Sequence, residues 1–321
     1  MTKMQQISLT FLTLVLFLTG CGDPIKAQIE QQIPITEARV QQLGKALENG
    51  EVRNANLIKQ YAQQLLTVKP DLAPLINELK KDATTKGPMY KSLLDRLNTV
   101  KTQPQMFANS QAIFDELLNI YQAADPVLYS DALSDPLNVL ADMSDGKLPR
   151  VNALSKDQSL RANNAQDFGT GEQLIGNPNY GQWTTGSNGM SFWAWYGMYS
   201  MFDNLFGRRT YYNDWGSRRN YSYYNDYGRT RYSSPSQLKK QNNLDARTRK
   251  SFGRKGFKGA YSKNRTGAAG ISSKSKIAQQ SANRFRSNTA SKSRYASASK
   301  NKNASFRNSR TSTSRGFRRG K

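Results

Sequence analysis

The chain has no histidine, and its 321 residues include one cysteine, Cys21. Without histidine there is no Ser-His-Asp triad, no Cys-His pair and no imidazole-ligated metal. A lone cysteine excludes an internal disulfide framework. Acidic residues stop at Asp245, so residues 246–321 hold 22 Lys and Arg and no Asp or Glu. The main apolar run, Ile7 to Leu18, has 12 residues, whereas a permanent membrane span needs roughly 20. No Gly-rich loop followed by Lys-Ser/Thr occurs, and no dinucleotide fingerprint follows a strand-like segment.

What is present divides sharply by charge. Residues 1–206 carry 17 Lys and Arg against 20 Asp and Glu, a net of −3. Residues 207–321 carry 30 against 3, a net of +27. The basic character therefore belongs to the C-terminal third, which predicts one folded part and one long basic extension.

At the N-terminus Lys3 precedes the apolar run, which has the length of a signal-peptide core. The run ends in Leu18-Thr19-Gly20-Cys21. This order of charge, apolar stretch, small residues and cysteine resembles the lipobox signal of bacterial lipoproteins over the first 22 or so residues. The resemblance implies cleavage after residue 20, a diacylglyceryl thioether on Cys21 and an acyl chain such as palmitate on its new amino group. Two or more chains hold a protein stably at a bilayer, each buried methylene contributing about 0.8 kcal/mol. Gly22 stands where aspartate marks inner-membrane retention in many such proteins, so the resemblance favours the outer membrane in a Gram-negative host. The stretch from Asn49 through Val100 and the later aromatic segment are similar to envelope lipoproteins of uncharacterised function, which implies no activity.

Residues 21–35 read as the lipidated N-terminus and a tether. From 36 to 146 the spacing is helical. Ile58, Tyr61, Ala62, Leu65 and Leu66 share one face, as do Leu72, Leu75, Ile76 and Leu79. Met89, Leu93, Leu97 and Val100 repeat the pattern, and so do Ile113, Phe114, Leu117, Leu118 and Tyr121. Asp125-Pro126 and Asp135-Pro136 are expected helix starts, with a capping carboxylate and a proline at the first position. Gly50, Gly87-Pro88 and Gly146 are expected breaks. The prediction is an all-α fold of five or six helices, a small bundle or stacked helical hairpins.

Residues 147–206 form an Asn/Gly-rich linker that ends in an aromatic segment, Met190–Phe206. Drawn as a helix, the segment puts Phe192, Trp195, Tyr199, Phe202 and Phe206 on one face. Two readings stand: an interfacial helix lying on the bilayer, or part of the core. Within 207–232, Tyr211-Tyr212-Asn213-Asp214-Trp215-Gly216 recurs as Tyr223-Tyr224-Asn225-Asp226-Tyr227-Gly228, flanked by Arg208, Arg209, Arg218, Arg219, Arg229 and Arg231. Turn chemistry and paired tyrosines fit a hairpin, or low-complexity drift. From 233 to 321 large apolar groups are too few to offset ordering entropy, which predicts a disordered basic tail.

Among carboxylates, Asp115, Glu116, Asp131, Asp135, Asp142 and Asp145 are the formal candidates for two-carboxylate chemistry, though caps and solvated faces account for them better. Asp142 to Gly146 lacks the ligand frame of a calcium loop. No catalytic, cofactor or metal site is assigned, and the chain is expected not to be an enzyme. Cys21 is the single assigned site. The tail interleaves cations with Phe252, Phe257, Tyr261, Phe285, Tyr295, Phe306 and Phe317, an electrostatic footprint for a polyanion. Outside the cytoplasm that points to lipopolysaccharide or peptidoglycan, and near an anionic surface each Lys or Arg contributes about 1 kcal/mol. Nucleic acid is the alternative, since Ser314 to Gly320 resembles Arg/aromatic nucleic-acid-binding segments.

Overall fold

The computed structural model describes residues 24–151, 168–206, 209–219, 222–253, 260–261, 272–278 and 280. All fall within a unit that ends at Ala282. Seven helices occupy the N-terminal part: α1 (Pro24–Glu48), α2 (Arg53–Val68), α3 (Ala73–Lys81), α4 (Pro88–Thr102), α5 (Ser110–Ala123), α6 (Pro126–Ala132) and α7 (Ser134–Met143). The faces read from periodicity are the buried ones. Ile58, Tyr61, Ala62 and Leu65 of α2, Leu75, Ile76 and Leu79 of α3, and Met89, Leu93, Leu97 and Val100 of α4 all enter one core. Phe114, Leu117 and Leu118 of α5 are buried as well. Gly50 and Gly146 turn the chain at φ +76° and +83°, a left-handed conformation that glycine adopts without a Cβ clash.

Three expectations for this region are corrected. The tether is helical from Pro24. Its inward stations are Gln32 and Thr36, followed by Val40, Leu43 and Leu47. The first two are polar but satisfied: Gln32 Nε2 donates to Thr36 Oγ1 at 3.2 Å, and Thr36 donates to the Leu117 carbonyl at 3.4 Å. Gly44 lets α1 approach Tyr90, whose hydroxyl oxygen would lie 2.5 Å from a Cβ there. Second, Asp125 does cap α6, accepting from the Val127 and Leu128 amides, but Asp135 caps nothing in its own helix. The residue before α7 is Leu133, and Asp135 lies inside the first turn. Third, seven helices stand where five or six were expected, and the last of them, α7, is buried on nearly every side, from Ser134 through Ala141. A helix enclosed all round is a central one.

The C-terminal part contains one antiparallel hairpin, β1 (Gly181–Thr185) with β2 (Ser191–Trp195), in which Trp183 faces Trp193 across the strands. Helices α8 (Met201–Phe206), α9 (Tyr212–Arg218), α10 (Arg229–Tyr232) and α11 (Pro235–Phe252) follow. The single-faced aromatic helix drawn over 190–206 is therefore not formed. Its first part is β2 and a 3₁₀ turn over Gly197–Ser200. Trp193, Tyr199 and Phe202 pack inward, while Met190, Tyr196, Met198 and Leu205 stay exposed. The Tyr-Tyr-Asn-Asp repeat is not a hairpin either. Tyr211 precedes α9, and Tyr224–Gly228 is one π-helical turn leading into α10. Among the described residues the chain is thus mostly helical, all-α in class, with a two-stranded insert.

The stretch from 233 also departs from expectation, since α11 is an 18-residue helix. Ser234 and Gln237 form a reciprocal capping box with Pro235 in the first turn, a strong helix start. Its inward residues Gln241, Asp245 and Thr248 are polar, so the helix docks through hydrogen bonds and not through an apolar stripe. Beyond it Ala260 and Ser275 are fully buried. Residues 254–259, 262–271, 279 and 281–321 lie outside the described residues, and with them the greater part of the expected disordered tail.

Candidate functional site

The six candidate carboxylates are scattered, and most serve the fold. Glu116 accepts from Arg96 Nε at 2.6 Å in a buried pair. Asp142 is gripped by Arg150 at 2.6 and 2.9 Å and receives Gln173 Nε2 at 3.1 Å. Asp145 pairs with Lys69 at 2.7 Å. Asp131 accepts from the Ser272 amide at 3.0 Å, and Asp115 receives Gln111 Nε2 at 3.3 Å. No group of three or more Asp, Glu or Cys could hold a metal among the described residues.

Asp135 is the exception in its position. It is 2% exposed and reaches from the central helix into the repeat. Oδ1 accepts from the Tyr223 amide at 2.8 Å, and Oδ2 accepts from the Tyr224 amide at 3.0 Å and the Ser222 hydroxyl at 2.8 Å. A carboxylate from α7 thus satisfies amide donors that the first turn of the π-helical segment leaves open. Desolvation dominates its ionisation: burial pushes it from 3.8 up to about 7, against the opposing effect of the three donors. A second buried acid, Asp82, accepts from Tyr180 Oη at 3.3 Å, and burial holds it well above the carboxylate range. None of the three cavities described below is lined by either acid.

Both repeat copies send their second tyrosine to the same face of α11. Tyr212 Oη donates to Asp245 at 3.0 Å, and Gln241 Nε2 donates to Tyr224 Oη at 3.3 Å. Gln241 and Asp245 are one helical turn apart, which puts them on one face. The repeat is therefore a two-point clamp on a basic helix. Of its flanking arginines, Arg219 is buried, Arg229 and Arg231 are half-buried, and Arg209 and Arg218 are exposed. Arg219, 1% exposed, donates to Asp226 at 2.5 Å and to the Ala260 carbonyl at 2.8 Å. Arg229 donates to Gln241 and Asn242 and lies 3.9 Å from the Tyr261 ring centroid. Arg209 stacks on Phe192 at 4.7 Å. Arg208 lies outside the described residues.

This clamp fixes the outer face of α11, where Lys239, Lys240, Arg247, Arg249 and Lys250 are exposed. Arg249 is paired with Asp245 at 2.8 Å. Between α11 and the hairpin lies a cavity of about 340 Å³, walled by Trp183, Trp193 and Tyr196 on one side and Lys240, Leu244 and Arg247 on the other. An adjoining cavity of about 220 Å³ shares Thr185, Leu244 and Arg247. Neither lining contains an acidic residue. The largest of these three cavities, about 500 Å³, lies by the start of α11 and mixes Asp95 and Glu116 with Arg96 and Lys239, so it shows no charge preference.

None of this groove is legible in the sequence, because β1 and α11 are far apart along the chain and α11 lies in a stretch expected to be disordered. The Ser234-Pro235-Ser236-Gln237 start was the available signal. Tyr261, expected among the exposed ring system of the tail, packs on Trp215 at 5.9 Å. Phe257, Phe285, Tyr295, Phe306 and Phe317 lie outside the described residues, as does Cys21. No helix among the described residues is long and apolar enough to cross a membrane. No known family, curated protein or solved structure matches the chain.

Proposed function

We propose that the protein is a non-enzymatic envelope lipoprotein, held at a membrane by lipid on Cys21, that binds an anionic envelope polymer or surface through its C-terminal cations. The observation that carries this reading is the charge partition: −3 up to residue 206 and +27 after it, in a chain that begins with a lipobox-like signal. In this reading the helical domain is a small bundle at the bilayer, the outer membrane where the host has one. The region beyond residue 280, with 12 of the 22 final cations and no acid, extends from it as a disordered arm. Lipopolysaccharide phosphates and peptidoglycan carboxylates are the anions within reach of such an arm. The Ser314 to Gly320 segment favours nucleic acid as a second reading.

Removing residues 281–321 tests the arm while leaving every described residue in the chain. In co-sedimentation with purified envelope, the shortened protein is expected to lose the salt-sensitive share of its retention and to keep the share given by lipid. Polyanion attraction falls steeply with added salt. Equal retention of both forms at every ionic strength contradicts a role for the arm. Tighter salt-sensitive retention on DNA than on envelope moves the assignment to nucleic acid.

A further inference from the structure

We infer that the groove between β1 and α11 is a binding site for an acidic oligosaccharide, one bearing carboxylates along a chain of sugar rings. This deepens the envelope-polymer reading and rests on it, but it moves recognition from the tail to a shaped site. Sugar rings carry apolar C–H faces, hydroxyl edges and, in acidic forms, a charge. The groove offers a match for each. Trp183 and Tyr196 provide aromatic surface, Tyr196 with 41% of its area exposed. Exposed Gln182 supplies an amide, and among the described residues β1 pairs with β2 alone, whereas β2 is also bridged from Phe192 to Tyr211. The peptide groups of an outer strand are open to hydroxyl partners. Lys240 and Arg247 supply positive charge, and neither has an ion-pair partner among the described residues. Cations facing no acid in a partly apolar cleft attract a carboxylate more strongly than the same cations in open solvent.

Shape distinguishes a polymer from a small anion. The two cavities meet at Thr185, Leu244 and Arg247 and run along α11 from Lys240 to Ser251, a length of about 16 Å at 1.5 Å per residue. The ring packing disfavours nucleic acid, because base stacking needs an open aromatic face. Trp183 meets Trp193 at 5.2 Å and Tyr212 at 4.7 Å, both edge to face, and Trp215 at 5.1 Å. Trp193 is itself 2% exposed. Tyr196 is the one exposed ring of this groove, a single platform where a strand of stacked bases uses several.

The test is calorimetric titration of the full chain at 0.15 M salt with oligogalacturonate, a neutral cello-oligosaccharide of equal length, and oligodeoxythymidylate. The site predicts binding of oligogalacturonate that weakens at least tenfold in Lys240→Gln/Arg247→Gln and in Tyr196→Ala, all at exposed positions. Equal affinity for the neutral sugar overturns the acidic assignment. Tighter binding of oligodeoxythymidylate, or unchanged affinity in the variants, overturns the site. If the groove variants are silent while removal of 281–321 releases the protein from envelope, the groove fails and the broader reading survives. If both are silent, both fail.

Discussion

Replacing Asp135 with alanine is expected to destabilise the protein by about 3 kcal/mol at pH 5, because two buried amides and a hydroxyl lose their acceptor together. The Tyr223 and Tyr224 amides have no other route to water, since both residues are at most 3% exposed. The loss depends on pH in a fixed direction. The folded carboxyl sits at about 7, above its ordinary 3.8. Between those values the folded state holds a proton that the unfolded chain has released. Asp135 therefore adds stability in acid and loses it as pH rises through 7, a span on the order of 4 kcal/mol. A protonated Oδ2 can donate to the Ser222 oxygen, so the neutral form fits the site. Asp226 lies near enough to raise Asp135 further, and Asp82 contributes a slope of the same sign. Denaturant titration at pH 5 and pH 8 measures the effect. Wild-type stability should fall between the two, and the cost of Asp135→Ala should shrink. An equal cost at both values would show that the carboxyl titrates normally. All four tryptophans lie between Trp183 and Trp215, so their fluorescence reports the half that Asp135 secures.

Arg219→Ala is expected to cost roughly 3–5 kcal/mol, the penalty for stranding one member of a buried ion pair. Arg219 closes the two repeat copies on each other through Asp226 and anchors Ala260, which is fully buried. Most of that penalty belongs to the charge left behind. Removing both partners in Arg219→Ala/Asp226→Ala should therefore cost less than the two single changes combined, with a coupling of about 2 kcal/mol or more. Additive losses in the double-mutant cycle would mean that the pair is not formed. Lysine at 219 should recover little, since it cannot present the planar fork that meets a carboxylate and a carbonyl together.

These two sites also show why some of the structure was legible and some was not. The faces of α2 to α5 were readable because apolar side chains recur at most inward stations at helical spacing. The first turns of α1 and all of α11 were not, because their inward stations are Gln32, Thr36, Gln241, Asp245 and Thr248. Apolar periodicity is blind to a helix that docks through hydrogen bonds. Asp135-Pro136 has the local chemistry of a cap, and its actual partners are 87 to 89 residues away. The repeat was visible, but its role required knowing where Gln241 and Asp245 would face. Charge was legible in amount and not in use. Arg219, Arg229 and Arg231 serve the fold, the last through the Tyr227 carbonyl, whereas Lys240 and Arg247 border the groove.

In the proposed reading, lipid at Cys21 is what makes a cationic protein an envelope component, and metabolic labelling with palmitate in the native host tests that reading most directly. The account predicts label on the protein, absent in Cys21→Ser, with the mature chain beginning at residue 21. An unlabelled protein that keeps Met1 and a free thiol would contradict it.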